Sequence, residues 1–262
     1  DLDDTLLSPD LSISTENAHV VREAARLGCI IVLASGRHYV SMRRYAQELG
    51  LVGLSWPMVC MNGAEVRDTD SGRVLMRTEL DPGACKQVLA VLSAHGFPAQ
   101  AYEDDRILVS EHNSWTEQDS RLTGAKAMLA SMEELASKSR VKFVASAQPE
   151  LIQKKQNDVQ AALAGIARVV VSKPYFMEIL PIGADKATGL AWAASMLGIE
   201  RDAVMAIGDS GNDLEMVAWA AYGCAPSDAR ADVLEAARFV SSLPHDKDAV
   251  AELIDRLVLS QP

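Results

Sequence analysis

Short apolar runs alternate along this chain with stretches whose hydrophobic residues recur every three or four positions, the pattern of strands alternating with amphipathic helices. Residues 16–27 predict a helix with Ala18, Val21 and Ala25 on one stripe, stopped by Gly28. The unbroken apolar run 29–34 predicts a strand buried on both faces. A helix over 38–49 and a strand over 57–61 follow, the latter ending at the turn signal Asn62-Gly63. From residue 175 the same texture returns. A strand at 176–180 leads through Pro181 and Gly183 into a helix striped by Ala187, Leu190, Ala191 and Ala194. A strand at 203–207 precedes a helix with Leu214, Val217, Ala218 and Ala221 aligned, and a last helix aligns Val250, Leu253, Ile254 and Leu257.

Between these blocks the texture differs. Strand-like segments at 73–80, 98–111, 141–147 and 168–172 surround a helical stripe of Cys85, Val88, Leu89 and Leu92 and a polar helix near 150–164. The pattern predicts an α/β protein: a Rossmann-like, mostly parallel-sheet core domain from 1–81 and 175–262, with an inserted α/β domain over 82–174.

Composition narrows the function classes. The chain has 262 residues, 48% hydrophobic and 23% charged, as expected of a globular protein with a sizeable core. Its net charge of −11 argues against a nucleic-acid partner, which needs a basic face, yet leaves room for one small phosphorylated ligand. No apolar stretch approaches membrane-spanning length, and no signal peptide is visible. The scattered Cys29, Cys60, Cys85 and Cys224 fit reduced thiols in the cytoplasm better than a disulfide framework.

Four segments could carry chemistry. In Asp1-Leu-Asp-Asp-Thr5 an extended backbone points Asp1 and Asp3 the same way and Leu2 toward the core; an acidic loop is the plain alternative. Ile207-Gly-Asp-Ser-Gly-Asn-Asp213 follows a strand and opens a helix, where ligands of open α/β sheets bind. Helix capping by Ser210 or Asn212 would explain part of it, but not the preceding Gly208-Asp209. Lys186 opens a helix, where the dipole disfavours a cation; a nearby anion would account for it, as would surface pairing with Asp185. Ser35-Gly36-Arg37 turns from strand to helix, and the Ser35 hydroxyl and Gly36 N–H suit a phosphate oxygen or an ordinary cap.

Taken in order, these segments resemble the four motifs of the haloacid dehalogenase-like hydrolase superfamily, in its Cof-type sugar-phosphatase branch, and Asn62-Gly-Ala64 resembles a further feature of that branch. Asp4 departs from the pattern, since glycine is common there. The resemblance implies that the insertion is a cap and that the chain is a phosphatase of small phosphorylated metabolites. Asp1 would be the nucleophile, Asp3 the acid and base, and Lys186 the neutralising cation. Mg2+ would be held by Asp1, Asp209 and the Asp3 carbonyl, with Asp213 and Asn212 orienting its waters. Ser35, Gly36, Arg37, Asn62 and Asn212 would hold phosphate or substrate, with Glu178 a further candidate. Arg106, His112 and Trp115 read as surface or structural positions. The same resemblance leads to the expectation of a strand upstream of Asp1.

A phosphomutase acting on hexose phosphates would use the same nucleophile and metal; a silent phosphometabolite-binding regulator would keep the pocket without turnover. A receiver-like signalling domain also gathers acids around magnesium, but the long insertion disfavours it. The leaving group and the oligomeric state stay open.

Overall fold

The computed structural model describes residues 1–103 and 106–260, so Asp104 and Asp105, within the expected 98–111 strand segment, lie outside the described residues. The chain divides into two compact units. One comprises Asp1–Gly36, Met42–Leu75 and Asp185–Pro262; the other comprises Arg37–Ser41 and Met76–Ala184.

In the first unit, Ser14 caps the helix Thr15–Arg26, its side chain accepting from the Asn17 N–H, and Ala18, Val20, Val21 and Ala24 are buried. Leu2, between the two acids, is fully buried and anchors the opening segment as the alternation predicts. A parallel sheet joins Met205–Ile207, Tyr222–Ala225 and Phe239–Val240. An antiparallel pairing folds Pro57–Cys60 back on Glu65–Asp68. The final helix Ala249–Ile254 continues into a wider π-type turn, Asp255–Leu259.

The expected strand over 29–34 forms only at its end. Ala34 bridges Val59 in parallel, with Val59 N–H donating to Leu33 and Ser35 N–H to Val59. The run Ile30–Val32 instead walls an apolar cavity of about 550 Å³, shared with Ala203–Ile207 and with Val21, Leu190, Ala194 and Ile254. Apolar sequence favours a strand, but a strand exists only where neighbouring backbone supplies hydrogen bonds. Ala221 likewise lies beyond its predicted helix, which ends at Trp219.

The second unit is built on a six-stranded sheet, in the order Lys126–Leu129, Arg106–Val109, Gln100–Glu103, Phe143–Ser146, Phe176–Pro181 and Ala167–Lys173. All neighbours are antiparallel except the first pair. The strand Phe176–Pro181, assigned by sequence texture to the core block, pairs here with Phe143–Ser146 and Ala167–Lys173. Register sorts the side chains into two faces. Ala101, Phe143 and Ile179 lie opposite one another and join a core completed by Cys85, Val88, Leu89 and Leu92 of the helix Pro82–Ala94 and by Ile152 and Val159 of the helix Pro149–Ala162. The alternate positions Gln100, Tyr102, Lys142, Ser146 and Glu178 are polar and nevertheless buried. The helix Ser114–Thr123, closed by an Asn113 capping box and missed by the sequence pattern, brings Asp119 to them.

Among the described residues the four cysteines are free, three of them buried and Cys29 half-buried. No described helix is long and apolar enough to cross a membrane.

Candidate active site

Acids from opposite ends of the first unit's sequence meet in space. The Asp1 backbone nitrogen donates to the Ile207 carbonyl at 2.8 Å, setting the first acid beside the end of the strand Met205–Ile207. The chain then turns tightly, with the N–H groups of Thr5, Leu6 and Leu7 all directed at the Leu2 carbonyl. That turn requires a left-handed residue at position 4, and Asp4 has φ +58°. The departure from glycine is thereby explained, because Asp is among the few side chains that visit this region at modest cost.

Carboxylate oxygens of Asp1, Asp209 and Asp213 all lie within 4.8 Å of one another. Lys186 is the cation among them: its Nζ donates to Asp1 Oδ1 and Asp213 Oδ1, both at 2.6 Å, and it is 1% exposed. Surface pairing with Asp185 does not occur; Asp185 caps the helix Lys186–Met196, its side chain accepting from the Thr188 N–H at 2.7 Å. The position of this helix depends on Gly63, where a Cβ would fall 1.9 Å from the Asp185 carbonyl oxygen.

The acid-bearing loop after Ile207 also depends on a missing side chain. A Cβ at Gly208 would meet Asp213 Cβ at 2.4 Å, so the glycine lets Asp213 fold back under the loop. Capping does not describe this segment. Asp213 itself stands at the N-cap of Leu214–Trp219 without a side-chain cap bond, and Ser210 Oγ donates to Asn212 Oδ1 and Asp213 Oδ2.

The three acids are not equivalent. Burial, the largest single influence, would raise Asp213, but the neighbouring positive charge, that of Lys186 first, and hydrogen bonds from Lys186 and the Ser210 N–H together hold its carboxyl below the usual range. Its oxygens are occupied by Lys186 and by the Ser210 N–H and hydroxyl. Asp209 is pushed up to about 7, first by loss of water and then by the charge of Asp213, and its only donor among the described residues is the Thr5 hydroxyl, at 2.9 Å on Oδ1. One oxygen each of Asp1 and Asp209 therefore accepts no hydrogen bond from the described residues. Partly buried, unsatisfied negative charge with oxygen donors is what a hard divalent cation needs, so this set fits Mg2+.

Opposite these acids, Ser35 is 1% exposed, and its carbonyl accepts from the Asn62 N–H at 3.0 Å. Gly36 presses on Asn62, whose Oδ1 would lie 3.0 Å from a Cβ there. Asn62 Oδ1 in turn accepts from Asn212 Nδ2 at 2.9 Å. Asp3 lies two residues after Asp1, its backbone bridging to Leu7. Arg37 and Glu178 belong to the second unit: Arg37 Nη1 donates to the Leu122 carbonyl at 2.8 Å, and Glu178 pairs with Lys142 at 2.7 Å. From sequence Thr5 gained no role, Ser210 only a capping one and Gly63 only a turn, although all three stand inside the motifs quoted there.

Known proteins resemble this chain in sequence and in fold. The sequence model described as haloacid dehalogenase-like hydrolase matches residues 1–254. The protein YxeH of Bacillus subtilis is 28% identical over 264 residues, covering 100% of this chain and 97% of its own. The 5-amino-6-(5-phospho-D-ribitylamino)uracil phosphatase YwtE of the same organism is 25% identical over 285 residues, covering 100% and 97%. A haloacid dehalogenase-like hydrolase from Bacteroides thetaiotaomicron superposes with a TM-score of 0.86 at 26% identity, over 97% of this chain and 96% of its own.

Proposed function

Because the chain belongs to the haloacid dehalogenase-like hydrolase family, we propose that it is a magnesium-dependent phosphatase that hydrolyses a small phosphorylated metabolite, a sugar or sugar-alcohol phosphate, through an aspartyl-phosphate on Asp1. The observation that carries this reading is the meeting of Asp1, Asp209 and Asp213 around a single lysine. A protein gains nothing in stability from such excess acid; a phosphoryl-transfer site requires it. The polyol phosphate is favoured because YwtE, matched over 97% of its length, is named for a phosphorylated ribityl compound.

In this mechanism the Asp1 carboxylate attacks phosphorus while the bond to the leaving oxygen breaks, and Asp3 gives that oxygen its proton. Asp3 then takes a proton from water, which attacks the phosphorus of the aspartyl-phosphate and releases inorganic phosphate with Asp1 restored. Lys186 holds Asp1 in place and offsets the charge of the transferring group. Ser35 and the Gly36 N–H take phosphate oxygens. Asp1, Asp209 and the Asp3 carbonyl would hold Mg2+, with Asp213 and Asn212 fixing the surroundings; when bound, the ion supplies charge neutralisation for the phosphoryl oxygens. The insertion, residues 82–174 by the sequence pattern, serves as the cap that reads the leaving group.

The test is a panel of phosphorylated metabolites assayed with Mg2+ for phosphate release, beside Asp1→Asn. The variant is expected to remain folded by circular dichroism and to lose turnover by roughly 10⁴-fold or more. Near-normal turnover in the variant would remove Asp1 from the role of nucleophile. Isomerised sugar phosphate in place of free phosphate would make the enzyme a mutase.

A further inference from the structure

Asn62 occupies an unusual position. It is 1% exposed, lies at the end of the strand Pro57–Cys60, and has φ +53° and ψ 37°. Met61 before it has φ +52° and Gly63 after it φ +83°, so three successive residues take the left-handed conformation. Non-glycine residues hold that region only where their surroundings enforce it, and such strain gathers at functional sites. Asparagine bears it better than most, but a turn alone would be served more cheaply by glycine.

What the side chain does accounts for the asparagine. Its backbone N–H donates to the Ser35 carbonyl at 3.0 Å. Its side-chain oxygen accepts from Asn212 Nδ2 at 2.9 Å and sits against Gly36 so closely that a Cβ there would approach within 3.0 Å. Asn212 is tied at its other end, its Oδ1 accepting from Ser210 Oγ, and Ser210 in turn donates to Asp213. An unbroken hydrogen-bonded line thus runs from the Ser35-Gly36 loop through Asn62 to the acid-bearing loop 208–213.

We propose that Asn62 is a positioning residue that locks the Ser35-Gly36 loop and the 208–213 loop at one fixed separation, so that the donors for phosphate and the carboxylates stay in register. It braces the site from behind; substrate contact is not its role. The functional half of this statement rests on the phosphatase reading, whereas the mechanical half does not.

The test uses Asn62→Gly, which keeps a residue suited to positive φ and removes the side-chain brace, with Asn212→Ala and the double variant. Amide hydrogen exchange, phosphate affinity by calorimetry with Mg2+ and inorganic phosphate, and kcat and KM on a reactive phosphate ester are read for each. Exchange at 35–36 and at 208–213 is expected to quicken together, and phosphate affinity to fall about tenfold, the loss of one buried hydrogen bond. The double variant should lose no more than either single variant, because both break the same link. Additive losses, or unchanged exchange at either loop in Asn62→Gly, would overturn the proposal. Should Asn62→Gly fail to fold, Asn212→Ala decides alone, and unchanged exchange at 35–36 in that variant is again a refutation. A wild-type protein that binds no phosphate and turns nothing over defeats the phosphatase reading, while exchange still judges the brace.

Discussion

In the first unit, Lys186 stands between Asp1 and Asp213 with Asp209 close by, so three acids share one lysine. In the second, Lys142 is matched by Glu178 at 2.7 Å, with their side chains only 4% and 6% exposed, and Asp119 is held by the Tyr102 hydroxyl at 2.6 Å and the Gln100 amide at 3.1 Å. Both units therefore bury charge, which is costly in either place. They differ in what remains. In the second unit the buried carboxyls of Glu178 and Asp119 each meet donors of that unit, and Ser146 donates to Gln100 Oε1. The first unit leaves carboxylate oxygen on Asp1 and Asp209 unmatched among the described residues. Carboxylates met by donors of their own unit need no cation from solution, whereas unmatched carboxylate oxygen suits one.

The sharpest way to break this contrast is to remove the central cation of each unit and ask whether Mg2+ compensates. Lys186→Met leaves two buried carboxylates facing each other, an expected loss of about 3–5 kcal/mol in stability together with turnover. Saturating Mg2+ should recover a measurable part of that stability in thermal melts, since the ion restores positive charge among the same oxygens. If Mg2+ leaves the melting of Lys186→Met untouched, the acids do not form a cation site.

Lys142→Met is the matching change in the insertion. It removes the ammonium that pairs with Glu178 and lies 4.9 Å over the Tyr102 ring, and the loss should be about 3 kcal/mol. Here Mg2+ should restore nothing. Equal rescue of both lysine variants would show that the two buried clusters do not differ in the way described.

How much of this the sequence disclosed depends on what fixed each feature. Lys186, Asp209 and Asp213 were legible because each stands just past a strand end or at a helix start, where short-range pattern sets position, and Asp1 because its spacing from Asp3 around buried Leu2 is itself short-range pattern. The helix beginning at Lys186 was legible from its alanine and leucine stripe. The polar face of the second unit's sheet was not, because Gln100, Tyr102 and Glu178 at alternate positions look like a solvated face, and the helix that brings Asp119 to them is not visible in the pattern. The strand Tyr222–Ala225 escaped because Ala221-Tyr-Gly-Cys-Ala225 has no β-branched residue; Gly223 is required there, as a Cβ would fall 2.0 Å from the Val217 carbonyl oxygen. The run 29–34 erred the other way, since its residues suit a strand and the pairing is supplied only at Ala34.

The smallest expected effect probes the second unit's polar layer at Asp119. Asp119 is 4% exposed, and its pKa is pushed up to about 6, first by burial, with Glu178 adding to the rise and the Tyr102 hydrogen bond, Lys142 and Arg37 opposing it. A carboxyl raised above its unfolded value of 3.8 binds its proton more tightly in the folded protein. Its contribution is therefore complete below pH ~4 and is lost as pH rises through about 6, an effect of order 2 kcal/mol. Asp119→Asn keeps an acceptor for Tyr102 and removes the titration. Urea midpoints of the wild type should fall between pH 4.5 and 7 relative to those of the variant, with the two curves parallel above pH 7. A difference of opposite sign would mean that Asp119 is held as a carboxylate, and that the insertion, like the first unit, carries negative charge its own donors do not balance.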